Sequence, residues 1–135
     1  MADFILLPAI VMGILIGLVE IFFVHSDQGA MGAMWLKHAL HALPITTLFV
    51  FASMNVHFVL GLVGINAEGT MITVIVRVVI ALLAMLKVAG AASIARGAHI
   101  GEKMPHTLVI GALIFAAPYA WDMFLEQLIG PYIPF

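Results

Sequence analysis

Four stretches of the chain are mostly apolar: 4–24, 38–63, 70–94 and 105–130. Each reaches or exceeds the roughly 20 apolar residues a helix needs to cross a hydrocarbon core about 30 Å thick. Apolar residues run continuously through them instead of alternating with a period of two, a pattern that predicts helices rather than the strands of a barrel. Between them lie HSDQGAMGAMW, INAEG and ARGAHIGEKM, short connectors that carry the turn formers and most of the exposed charge. Connectors this short force consecutive spans to run antiparallel. The predicted fold is all-α: one domain over 1–135, a bundle of four transmembrane helices built as two antiparallel hairpins.

Small and special residues inside the runs predict how the helices meet. Gly13 and Gly17 form a GxxxG pair, and Glu20 extends the same face by a turn. In the third run Ala81, Ala84, Ala91 and Ala92 sit among bulky neighbours. Faces of this kind let helix backbones approach closely. Pro118, in the middle of the fourth run, is expected to kink it and to free a backbone carbonyl one turn earlier. Trp35, Tyr132 and Phe135 fall at span ends, where an aromatic belt belongs.

Composition changes the picture in one respect. Of 135 residues, 64% are hydrophobic and 9% charged, where a soluble domain averages roughly 45–50% apolar and about 25% charged. A water-soluble fold of this size has no room to hide so much apolar surface, so lipid is its expected solvent. A formal charge of −2 with five Lys and Arg argues against a nucleic-acid partner. Without cysteine there is no disulfide framework and no thiolate nucleophile or metal ligand. Met-Ala-Asp-Phe lacks a basic n-region, so the first run is expected to belong to the mature protein. Lys37, Arg96 and Lys103 flank the first and third connectors, while the second connector and both termini carry no Lys or Arg. The positive-inside rule then puts residues 25–37 and 95–104 in the cytoplasm and both termini outside a multi-pass cell-membrane protein.

Ionisable residues inside the spans are the candidate functional residues. At about 1.5 Å per residue, Arg77, Asp122 and His57 fall in nearly one layer towards the terminal end, with Glu126 one turn from Asp122. An unpaired arginine at such depth costs roughly 2.5 kcal/mol or more, so Arg77 and Asp122 are expected to form the main buried ion pair, with His57 beside it. Near the opposite end Lys87 and Glu20 form a second expected pair, at the level of His38, His41 and His106. Lys87 has the alternative of snorkelling to the interface.

Three function classes follow. Paired charges fix helix register, which suits an accessory subunit of a membrane complex or a self-assembling oligomer, with lipid and other membrane subunits or copies of itself as partners. The same residues, Glu20, His57, Arg77 and Asp122, could instead carry a proton- or cation-coupled transporter or channel. A third class is a metal or haem site. His25, Asp27, His38 and His41 surround one connector, with Met31 and Met34 between them, and imidazole with thioether favours copper. His38 or His41 with His106 offers axial haem ligands. No complete ligand motif is present, so the expectation is no cofactor. An enzyme is the least expected class, since no Ser-His-Asp spacing, phosphate loop or metal-hydrolase motif occurs.

Overall fold

The computed structural model describes residues 4–28, 34–65, 69–94 and 104–132, with side chains placed over 4–26, 40–65, 69–90 and 104–132. No strand occurs among the described residues. The helices are α1 (Leu7–Gln28), α2 (Met34–Met54), α3 (Val56–Leu62), α4 (Thr70–Ile94) and α5 (Met104–Ala120). A π-helical turn (Trp121–Leu125), a short α6 (Glu126–Ile129) and a closing 3-10 turn (Gly130–Tyr132) then continue α5. Pro8 and Pro105 each lie one residue inside a helix start, where a missing N–H costs nothing.

Three of these helices are long and apolar enough to cross a membrane, and a fourth span exists if the bent pair α2–α3 counts as one. That bend corrects the sequence reading. The run 38–63 is not one continuous span: α2 and α3 meet at Asn55 with a 95° change of direction. The 21 residues of α2 extend about 31 Å, the thickness of a hydrocarbon core by themselves. Asn55 leaves the helical region (φ −117°, ψ 45°), and its side chain ties the break to the start of α1. Its Oδ1 accepts the Ile5 N–H at 2.7 Å, while its amide nitrogen donates to the Ile5 and Phe51 carbonyls at 2.9 and 3.0 Å. Phe4, Phe51 and Phe58 pack edge to face around this corner.

The chain leaves α3 through a Schellman cap. Ile65 N–H donates to the Leu60 carbonyl and Gly64 N–H to the Gly61 carbonyl. Gly64 occupies the left-handed position at φ +76°, which a residue with a Cβ enters only at a cost.

In the bundle α2 and α5 form the centre: α1 packs on both from one side and α4 on both from the other. The core between them includes Ala9, Val50, Ile110, Ile114, Ala117 and Trp121. The glycine face predicted on α1 meets α2 directly. A methyl group at Gly13 would lie 2.7 Å from the Thr47 Cα, and one at Gly17 2.5 Å from the Leu43 Cδ1. Backbone cannot give way as a leucine tip can, so the two glycines differ in tolerance. Gly13→Ala is expected to destabilise the bundle by at least about 1 kcal/mol, and Gly17→Ala by distinctly less. Parallel unfolding curves in detergent micelles would check this, and equal losses would mean that α1 and α2 are not this close at Gly13.

Candidate functional site

Arg77 lies in α4 with its side chain half-buried. Its Nε donates to the Ser53 carbonyl at 3.0 Å, and its guanidinium carbon stands 5.0 Å from the centre of the Tyr119 ring. Ser53 is the penultimate residue of α2, so the helix ends before a following turn can bond its carbonyl. The C-terminal end of a helix carries about half a negative charge, and the face of an aromatic ring is also electron-rich. The cation is therefore met by a helix terminus and a π face.

That corrects the expected pairing. Among the described residues no ion pair joins Arg77 to Asp122 or Glu126, and both carboxylates are exposed. The groups that meet Arg77 stand close in sequence to the expected ones: Ser53 precedes His57 by four residues and Tyr119 precedes Asp122 by three.

Ser53 holds the opposite side of the same node. Its hydroxyl donates to the Ile114 carbonyl at 2.8 Å, a bond that is fully buried. Ile114 is four residues before Pro118, so its carbonyl is the one that the proline leaves without a helical donor. One serine thus satisfies the proline break in α5 through its side chain and caps α4's arginine through its backbone. Beyond the bend, on α3, His57 is exposed and its Nε2 lies 3.4 Å from the Thr73 hydroxyl, which itself donates to the Gly69 carbonyl at 3.1 Å.

Nearer the other end, Glu20 is 4% exposed and Thr46 2%, and the Thr46 hydroxyl donates to the Glu20 carboxylate. The expected Glu20–Lys87 pair does not form. α1 and α4 flank the central pair from opposite sides, and Lys87 is exposed on α4. His106 stacks flat on Phe23 with ring centres 4.2 Å apart. Of the candidate metal ligands, His25 and His41 are exposed, whereas the side chains of Asp27 and His38 lie outside the described residues. Among the described residues no group of three or more His, Asp or Glu is placed to hold a metal ion.

The residues that organise the site, Ser53, Asn55, Thr46 and Tyr119, were not singled out from sequence. Two carried a readable signal: Asn55 is the only asparagine in the four apolar runs, and the carbonyl freed by Pro118 called for a donor. Compared with protein-family models, curated proteins and solved structures, the chain matches none.

Proposed function

We propose that the chain is a small integral membrane protein with a structural role, an accessory subunit of a membrane complex or a self-assembling oligomer. The observation that carries this reading is where the intramembrane polar side chains go. Asn55 bonds to the backbone of Ile5, Ser53 to that of Ile114 and Arg77 to that of Ser53. Each is engaged at a helix end or break, which supports a role in holding the shape of the bundle. The outward side of α4 fits the same reading. Only 22% of its span is buried, against 44% of the α1 span, leaving Ile75, Val79, Leu82 and Leu86 exposed to lipid or to a neighbouring subunit.

The test is the mass of the species extracted from native membranes in mild detergent, with identification of whatever copurifies. A particle heavier than one 14.5 kDa chain plus its detergent is expected. A folded, monodisperse single chain would defeat the proposal.

Buried Glu20, bonded to Thr46 in the α1–α2 contact, supports a second reading, proton- or cation-coupled transport. Its test is ΔpH-driven flux in proteoliposomes that Glu20→Gln abolishes. For orientation we propose termini outside and residues 25–37 and 95–104 inside. An impermeant thiol reagent on intact cells should label Glu68→Cys and not His99→Cys, and the reverse would invert the bundle.

A further inference from the structure

We infer that Arg77 and His57 form a site for the phosphate of a membrane lipid with a net anionic headgroup, where α3 packs on α4 at the terminal end of the bundle. The proposal is independent of the structural role above. It starts from charge. Among the described residues only the Nε of Arg77 is bonded to protein; the remaining guanidinium N–H groups meet no acceptor there, and no carboxylate there pairs with the cation. A helix terminus compensates about half a charge and the Tyr119 ring face adds attraction without a formal counter-charge, which leaves positive charge at a depth of seven residues from Thr70, about 10 Å along α4. A cation there is stable when an anion reaches it or when it snorkels to one.

The surroundings select which anion. Thr73 and Arg77 are one turn apart on one face of α4, and Thr73 holds the His57 ring at 3.4 Å. Arginine, then histidine, therefore mark a line from the span interior towards the membrane surface. A phosphate diester at the headgroup level would take the guanidinium N–H pair, with the exposed imidazole as a second group beside it. Around this line α3 and the first turn of α4 expose Phe58, Leu62, Met71 and Ile72. Apolar walls give acyl chains contact area and give a free anion nothing. Among the described residues Asp122 and Glu126 are the rivals in kind: carboxylates of the chain that are exposed at the same end.

Native mass spectrometry of the full chain in mild detergent, titrated separately with phosphatidylglycerol and phosphatidylcholine, tests the site. One phosphatidylglycerol per chain should bind roughly tenfold tighter than phosphatidylcholine. Arg77→Gln should remove that preference, while Lys87→Gln, at the other end of α4, should leave it unchanged. Should Arg77→Gln fail to fold, His57→Gln, at an exposed position, should still weaken the preference by several-fold. Equal binding of the two lipids, or a preference that both Arg77→Gln and His57→Gln leave intact, would overturn the proposal. So would displacement of the bound lipid by millimolar inorganic phosphate, which would assign the site to a free anion. The counter-charge would be the chain's own if Asp122→Asn with Glu126→Gln lowered the melting temperature as much as Arg77→Gln, and that result would also overturn it.

Discussion

Asn55→Ala is expected to lower the unfolding free energy of the bundle by about 3 kcal/mol, the largest loss from any single polar side chain in it. The residue is 4% exposed and makes three hydrogen bonds, one accepted from Ile5 N–H and two donated to the Ile5 and Phe51 carbonyls. A typical bond contributes about 1 kcal/mol net, and orphaning the backbone groups of Ile5 at the start of α1 adds to that sum. Water at the membrane surface can rescue some of these groups, which keeps the figure near the simple sum. Asn55→Leu should go further and change shape, because it removes the group that ties the break to α1 and supplies a good helix former in its place. A continuous α2–α3 helix would give the Ser53 carbonyl an ordinary helical donor and so withdraw the acceptor that Arg77 uses. Denaturant unfolding in mixed micelles, followed by the fluorescence of buried Trp121, measures the loss. A cost under about 1 kcal/mol for Asn55→Ala would mean that the clamp on Ile5 is not formed.

The parts of this fold legible in the sequence are those set by local chemistry. Long apolar runs specify helices, GxxxG specifies a close contact, and Pro118 specifies an orphan carbonyl at Ile114; each follows from residues within a turn or two of one another. The bend at Asn55 was not legible, because hydropathy summed over a window does not register a single polar residue that bonds to another helix 50 positions away. The partners of Arg77 were misassigned for a related reason. Depth along a span follows from counting residues, but rotation about its axis does not when the run is apolar on every side and no polar stripe marks the outward face. Arg77 and Asp122 were matched by depth, yet Asp122 is exposed and no ion pair joins the two. Lys87 and Glu20 were matched by level, yet α2 and α5 stand between their helices.

The Ser53–Ile114 bond permits a sharper experiment than a single deletion, because the reason for its existence lies in a second residue. Ser53→Ala leaves the fully buried Ile114 carbonyl without a donor and should cost about 2 kcal/mol. Pro118→Ala restores an N–H four residues after Ile114, within reach of that carbonyl along the helix. In the Pro118→Ala background the same serine change should then cost about 0.5 kcal/mol or less, since the carbonyl has its helical donor and only a hydroxyl is lost. The double-mutant cycle should accordingly give a coupling of about 1.5 kcal/mol between two residues on different helices. Arg77 uses the backbone of Ser53, not its hydroxyl, so the loss caused by Arg77→Leu should be nearly the same with serine or alanine at position 53. Equal costs of Ser53→Ala in the two backgrounds would show that the hydroxyl does not serve the carbonyl freed by the proline. A loss from Arg77→Leu that shrinks once Ser53 is alanine would show that the arginine depends on the serine side chain rather than on the end of α2.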